Sequence, residues 1–331
     1  MKDKKVSIIV PLYNSAEFMI KLVDSILNQT YRNIELILVN DGSPDDSGKI
    51  ADRYAQKDSR VISLHKSNGG CCDARNYGLA RVTGEYLMFA DGDDWMEPDC
   101  IEYLVTIAEQ NNCQMAMSDS IFTTVDRRQN SVDNIRVLTP EEATCSILYV
   151  ETPVGPWNKL YTTKVIKRNG IDFSVPWFGE GLYFSVTAAQ YSNQVVVGHK
   201  KVYNYRLNNT QSGTTVRQVK HALNSLWNIK NIKQQLYVKT PATLNAADWH
   251  LHRNYFNLLW YIIGANEEEK YKELYQEAKT ELRRMLPSVL VKSKVSFTKK
   301  TLIILTSLFP KTMSLVATKR RVKKTNTKMK D

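Results

Sequence analysis

The chain has 331 residues, of which 43% are hydrophobic and 24% charged; that suffices for a full core and argues against a disordered or fibrous chain. Its 45 Lys and Arg outnumber 34 Asp and Glu, for a formal charge of +11. Twelve of those cations and only one acid lie between Pro287 and Asp331, so the body before them is neutral and the tail carries the whole excess. No aromatic or Arg-rich reading surface accompanies that charge, which argues against a specific nucleic-acid partner. The five cysteines (Cys71, Cys72, Cys100, Cys113, Cys145) form neither a paired framework nor a C-x-x-C spacing, as suits a reducing compartment. Val6 to Val10 is too short for a signal-peptide core and breaks at Pro11, so it reads as a first strand. No run reaches the roughly 18 apolar residues of a spanning helix.

Val6-Ser7-Ile8-Ile9-Val10 is nearly continuous in apolar character, as a buried parallel strand should be. Phe18, Met19, Leu22, Val23, Ile26 and Leu27 follow at helical spacing. Ile34 to Val39 forms the second strand, closing in Asn40-Asp41-Gly42-Ser43, whose turn residues also cap a helix running to about Asp58. Arg60 to His65 reads as a third strand, and Cys71 to Val82 as a helix leading into the strand Glu85 to Phe89. A helix over Asp99–Asn111 and a strand over Gln114–Met117 continue the alternation. Strands alternating with helices mean a mostly parallel, doubly wound sheet with right-handed crossovers. Neither G-x-G-x-x-G after the first strand nor G-x-x-x-x-G-K-[ST] is present, so a dinucleotide fold and a P-loop are both unsupported.

Three strand ends instead carry polar sets: Pro11-Tyr13-Asn14, Asp41-Gly42-Ser43 and Asp91-Gly92-Asp93-Asp94. Ligands of open α/β sheets sit at the carboxyl ends of strands, so the three sets point to one shared crevice. The acids repel one another unless a cation lies between them, and hard oxygen ligands suit Mg²⁺ or Mn²⁺ shared with substrate phosphates. A solvated acidic turn is the alternative reading of Asp91 to Asp94 taken alone.

Val6 to Asn14, Gln29-Thr30-Tyr31 through Asp41-Gly42-Ser43, Asn68-Gly69-Gly70 with Ala74-Arg75-Asn76, and Phe89 to Trp95 together resemble family 2 glycosyltransferases. The similarity is dense over about the first 120 residues and looser to about residue 212. It implies the A-type nucleotide-diphospho-sugar transferase fold, with a donor site at residues 1–215. By this resemblance Pro11 and Tyr13 line the base pocket, and Asp41 accepts a hydrogen bond from the base. Asn68 belongs to the donor site, and Arg75 lies near the base or diphosphate and orients Asp41. Asp91 holds the ribose and, with Asp93, the metal of an Asp-x-Asp motif, while Asp94 supports them.

Gly155-Pro156-Trp157-Asn158-Lys159-Leu160 resembles the family's acceptor-side segment, where Trp157 either stacks on a sugar or packs in the core. Trp177-Phe178-Gly179-Glu180-Gly181-Leu182 stands where the family commonly shows Gly-Glu-Asp, whose Asp serves as the base that deprotonates the acceptor. Gly181 replaces that Asp, and Glu180 is the only adjacent carboxylate, hence the candidate base. Tyr203-Asn204-Tyr205-Arg206 with Ser212 resembles the closing segment, and Arg206 would approach the diphosphate. A lone His199 near a strand end reads as structural rather than as a metal ligand. The Gln-x-x-Arg-Trp signature of processive members is missing, which implies one sugar per encounter.

Residues 216–286 read as a helical accessory region whose Tyr255, Phe256, Leu258, Leu259, Trp260, Ile262 and Ile263 pack on the catalytic domain. Residues 287–331 read as a basic amphipathic tail. Its Leu302-Ile303-Ile304-Leu305, Leu308-Phe309 and Leu315-Val316 are bracketed by cations, as in an in-plane anchor on anionic lipid. A solvated tail is the alternative. The sequence therefore implies an inverting transfer of a sugar from a nucleotide diphosphate, most simply UDP, to a hydroxyl on a surface polysaccharide or lipid-linked glycan. The setting is the cytoplasm, at the inner face of the plasma membrane. The competing reading is a donor-binding protein impaired by Gly181.

Overall fold

The computed structural model describes residues 4–207, 209 and 218–325, with the side chains of 321–325 outside that description. Strand β1 (Val6–Leu12) leads through α1 (Met19–Leu27) to β2 (Ile34–Asp41), and α2 (Ser47–Lys57) returns to β3 (Val61–Lys66). Helix α3 (Cys71–Leu79) precedes β4 (Tyr86–Phe89), β5 (Trp95–Met96), α4 (Cys100–Gln110), β6 (Met115–Ser118) and β7 (Phe122–Thr123). Next come β8 (Arg136–Leu138), α5 (Pro140–Leu148), β9 (Lys159–Thr162), α6 (Thr163–Arg168), α7 (Glu180–Tyr191), β10 (Val195–Gly198) and β11 (Tyr203–Tyr205). The remaining helices are α8 (Val219–Gln234), α9 (Pro241–Gly264), α10 (Lys272–Lys292), α11 (Phe297–Leu308) and α12 (Pro310–Thr325).

The main sheet has eight strands in the order β3-β2-β1-β4-β9-β6-β10-β8. The pairs β1–β2, β2–β3, β1–β4 and β6–β10 are parallel. Strand β9 runs antiparallel between β4 and β6, and β8 antiparallel on the outer edge. The chain lays β2 and β3 on one side of β1 and then crosses to place β4 on the other, so the strand order reverses at β1. In such sheets the crevice beyond the carboxyl ends of the strands at this reversal is the natural ligand site. A second sheet, β5-β11-β7, buttresses it from behind Asp94.

Alternation along the strands separates two cores. Ile9, Ile37, Leu87 and Phe89 face α5, α7 and the C-terminal helices, whereas Ile8, Val10, Leu36 and Met88 face α1 and α4. Pro11 fits within a central strand because β4 ends opposite Ile9, leaving no ladder partner on the side its missing N–H would face.

Helix α9 starts in a capping box between Thr240 and Thr243 with Pro241 in its first turn, and it packs against α5, α8, α10 and α12. Its Leu258, Leu259 and Ile262 are buried in the same core as β1, β2 and β4. Among the described residues no helix is long and apolar enough to cross a membrane.

Candidate active site

Asp41 ends β2, with 2% of its surface exposed. Oδ1 accepts from Lys66 Nζ at 2.8 Å and from the Gly69 amide at 2.9 Å, and Oδ2 accepts from the Gly70 amide at 2.7 Å. Asn68 Nδ2 donates to the Asp41 carbonyl at 2.9 Å. The carboxylate thus holds the 66–70 loop, which crosses so close to Gly42 (φ +62°) that a Cβ there would lie 2.8 Å from the Asn68 amide. The loops after β1 and β2 are tied together as well. The Asn14 amide donates to Ser43 Oγ at 2.8 Å and the Ala16 amide to Asp45 Oδ2 at 2.9 Å, leaving the Tyr13 ring half exposed above them. Burial works against the Asp45 carboxylate, yet the Ser43 and Ser47 hydroxyls and the Ala16 and Ser47 amides outweigh it and hold the group at about 2.

Arg75, on α3, is buried and bridges the two halves of the crevice. Nη2 donates to Asp91 Oδ1 at 2.7 Å and Nη1 to Glu180 Oε1 at 2.9 Å, with the guanidinium over the Phe173 ring. The resemblance implied that Arg75 orients Asp41; here Lys66 and two glycine amides do so, and Arg75 orients Asp91 and Glu180. The contact with Glu180 was not legible from spacing, because 105 residues separate it from Arg75.

The acidic turn divides its labour. Asp94 is completely buried, accepting from Tyr203 Oη at 2.8 Å and from the Arg206 amide at 2.8 Å. Desolvation, then the charges of Asp93 and Asp91, push its carboxyl well above the usual range. Tyr203 Oη also accepts from the Asp91 amide at 3.2 Å, so one tyrosine ties both ends of the turn. Arg206 Nε donates to the Asp93 carbonyl at 2.6 Å, and Asn209 Nδ2 to Asp93 Oδ2 at 2.7 Å. Desolvation also raises Asp91, with Arg75 opposing it and Asp93 adding to it. Ser212 lies outside the described residues.

On the other flank, Trp157 stacks on Tyr203 and Tyr205, with ring centroids 5.1 Å away in both cases. Lys159 is fully buried, its Nζ donating to the carbonyls of Pro153 and Gly155 at 2.6 and 2.7 Å, and desolvation lowers it to about 7. It therefore fastens the 153–157 loop. Glu180 begins α7, and its Oε2 accepts from the Phe178 amide at 2.8 Å. Phe178 has φ +78°, a strained setting for an aromatic residue, and it is held there by stacking on His221 and by Ser225 Oγ donating to its carbonyl. His199 pairs with Asp119 at 2.6 Å, consistent with a structural role.

Asp91 Oδ2 and Asp93 Oδ1 have no protein hydrogen bond among the described residues. The pair offers hard, anionic oxygen in a partly desolvated turn, a donor set that fits Mg²⁺ or Mn²⁺. Among the described residues no three His, Cys, Asp or Glu side chains converge to hold a metal alone. The residues therefore fit an ion whose coordination is completed by substrate phosphates.

A crevice at the strand-order reversal, with acids at the ends of β2 and β4 and a mixed sheet backed by helices, defines the A-type glycosyltransferase fold. The chain belongs to glycosyl transferase family 2. The family described as "Glycosyl transferase family 2" matches residues 7–171. The glycosyltransferase YibD of Escherichia coli (strain K12) is 30% identical over 285 residues, covering 82% of this chain and 77% of the relative. EpsJ of Bacillus subtilis (strain 168) is 37% identical over 210 residues, 61% of each chain. GlyA of Streptococcus pneumoniae serotype 4 is 32% identical over 217 residues, 62% of this chain and 31% of that protein. The chain thus spans about three-fifths of EpsJ and about a third of GlyA. The fold is shared with S. aureus TarS 1-349 in complex with UDP-GlcNAc, with TM-score 0.65, 17% identity, and coverage of 96% of this chain and 92% of that one. It is also shared with the mannosyltransferase PcManGT of Pyrobaculum calidifontis in complex with GDP-Man and Mn²⁺, with TM-score 0.56, 16% identity, and coverage of 93% and 88%.

Proposed function

We propose that this chain transfers a sugar from a nucleotide-diphospho-sugar, with UDP as the carrier, to a hydroxyl of a cell-surface polysaccharide or lipid-linked glycan. The observation that carries this reading is the buried Arg75, held between Asp91 and Glu180 and so joining the donor-side turn to the acceptor-side helix. Pro11, Tyr13, Asp41 and Asn68 bind the nucleoside side of the donor, Asp91 the ribose, and Arg206 approaches the diphosphate from above Asp93. Asp91 and Asp93 hold the divalent ion of an Asp-x-Asp motif, which when bound neutralises the leaving diphosphate.

In the transfer the acceptor oxygen forms a bond to the anomeric carbon. The bond from that carbon to the diphosphate oxygen breaks, and its electron pair leaves with the nucleotide. Direct displacement inverts the anomeric centre, and one sugar is added per encounter. The hydroxyl proton goes to Glu180, whose carboxyl oxygens keep lone pairs beyond the two contacts they make. The relatives support the donor class: TarS was captured with UDP-GlcNAc, and PcManGT with GDP-Man and Mn²⁺. We place residues 1–215 as the transferase, 216–286 as its helical support and 287–331 as a tail seated at the inner face of the plasma membrane.

A second reading, a donor-binding protein with impaired turnover, is favoured by Gly181 and by the engagement of both Glu180 oxygens. The test is donor binding and release of free nucleoside diphosphate across a panel of nucleotide-sugars, with and without Mn²⁺. Metal-dependent binding and turnover support the transferase, and metal-dependent binding alone, with lipid-linked acceptors present, supports the second reading. Absence of nucleotide-sugar binding rejects both.

A further inference from the structure

Helix α11 is turned inside out. Its packed face carries Ile303, Thr306 and Ser307, while Phe297 is 85% exposed and Leu302, Leu305 and Leu308 also face outward. The buried hydroxyls are satisfied locally: Thr306 Oγ1 donates to the Leu302 carbonyl and Ser307 Oγ to that of Ile303, each at 2.8 Å. Ser307 Oγ also meets His252 Nε2 of α9 at 2.8 Å. Helix α12 repeats the inversion. Ser314 is fully buried and Thr318 Oγ1 accepts from Trp260 Nε1 at 3.0 Å, while Leu315 and Val316 face out.

Single exposed leucines are ordinary on protein surfaces. Two successive helices that bury hydroxyls while Leu302, Leu305, Leu308, Leu315 and Val316 face out are not, since removing apolar surface from water would favour the opposite rotation of each. In α12 the outward Leu315 and Val316 lie between exposed Lys311 on one side and Lys319 and Arg320 on the other. Residues 287–331 carry twelve cations and one acid, so their partner should be anionic as well as apolar. That combination is the signature of a helix lying in a membrane interface. A second copy is a poorer occupant, because a self-complementary contact would bring the cations of both copies together.

We propose that the outward faces of α11 and α12 bed on an anionic bilayer, with Phe297, Leu302, Leu305 and Leu308 among the acyl chains and Lys311, Lys319 and Arg320 against the lipid phosphates. This deepens the membrane placement proposed above by naming the surface, and it does not depend on the transfer chemistry.

The test is flotation of the full chain with phosphatidylcholine vesicles and with vesicles containing about one-third phosphatidylglycerol. Partition into the anionic vesicles should exceed that into neutral ones at least tenfold and weaken with added salt. Leu305→Glu with Leu308→Glu should lower partition at least tenfold, and Lys311→Glu with Lys319→Glu by about fivefold or more for each charge. Circular dichroism and nucleotide-sugar affinity of these variants should match wild type, since Leu305, Leu308 and Lys319 are exposed and Lys311, itself exposed, makes only a long 3.8 Å ion pair with Glu268. Equal partition of wild type and the Leu305→Glu/Leu308→Glu variant overturns the proposal. So does a wild-type dimer, seen by light scattering, that this variant dissolves. Loss of nucleotide binding with vesicle binding intact would instead reject only the donor-site reading.

Discussion

Arg75 and Glu180 lie 105 residues apart in the chain, and their side chains meet at 2.9 Å in a buried ion pair that Asp91 completes on the other guanidinium nitrogen. Removing the cation leaves the buried Glu180 carboxylate and the partly buried Asp91 carboxylate without their shared partner. Arg75→Ala should therefore cost about 3–5 kcal/mol of stability and be visible as a much lower midpoint of thermal unfolding. Removing only the charge of Glu180 is gentler. Glu180→Gln keeps an oxygen for Arg75, so donor affinity should stay within about threefold, while turnover falls by about 10²–10⁴ if Glu180 takes the proton. Unchanged turnover in a folded Glu180→Gln variant would leave Glu180 with the sole task of positioning Arg75.

Restoring the family's usual Asp at position 181 should not create a better enzyme. A Cβ at Gly181 would lie 2.7 Å from Pro156 Cδ and 3.1 Å from Gly155 Cα, against a ring and a backbone atom that cannot swing aside. Lys159 pins that loop from below through the Pro153 and Gly155 carbonyls. Gly181→Ala and Gly181→Asp should both lose roughly 1–3 kcal/mol to overpacking, measured by chemical denaturation, with no gain in nucleoside diphosphate release. A stable Gly181→Asp protein with raised turnover would show that the 155–156 loop yields readily.

The strand ends bearing Asp41 and Asp91 were legible because buried parallel strands are nearly continuous apolar runs: Ile34–Val39, interrupted only by Glu35, closes in Asn40-Asp41, and Tyr86–Ala90 stops at Asp91. Strand β9 was not. Its Lys159 looks like a surface residue until three carbonyls, those of Pro153, Gly155 and Trp157, are seen around its Nζ. The Arg75–Glu180 contact has no periodicity that could announce it, and the resemblance alone implies the pairing of Arg75 with Asp41. The amphipathic character of the tail was legible, but a helical wheel has no origin. Only packing against α9 and α10 shows that the leucines of α11 are on the outside.

Tyr203 joins the Asp91 amide to the Asp94 carboxyl through a single hydroxyl. Tyr203→Phe preserves the stack on Trp157 and removes only that oxygen, leaving a buried donor and a buried acid each short of a partner. The expected loss is about 1–3 kcal/mol of stability, read as a shift in denaturation midpoint. Because the same turn carries Asp91 and Asp93, the acids proposed to hold the donor, nucleotide-sugar affinity should weaken as well. A variant that loses stability with undiminished affinity would separate the role of Asp94 from that of Asp91.

Acid should loosen the C-terminal helices before neutral solution does. His250 Nδ1 donates to the Leu148 carbonyl at 2.7 Å, and His252 Nε2 meets Ser307 Oγ. Burial, with Arg253 adding to it, lowers His250 to about 3 from its ordinary 6.5. Burial alone lowers His252 to about 4. Both stay neutral in the folded state while the unfolded chain binds protons below pH 6.5. Stability is therefore fully present above pH 6.5 and falls as pH drops toward these folded values, by roughly 2 kcal/mol for each histidine at pH 5. The unfolding midpoint should decline between pH 7.5 and pH 5, and His252→Asn should remove about half of that decline. The same titration tests the seat of α11, since protonating His252 creates a charge at a buried site beside Ser307. An equal decline in wild type and His252→Asn would assign the acid sensitivity to other groups, and an α11 anchored independently of His252 would then keep its vesicle affinity at pH 5.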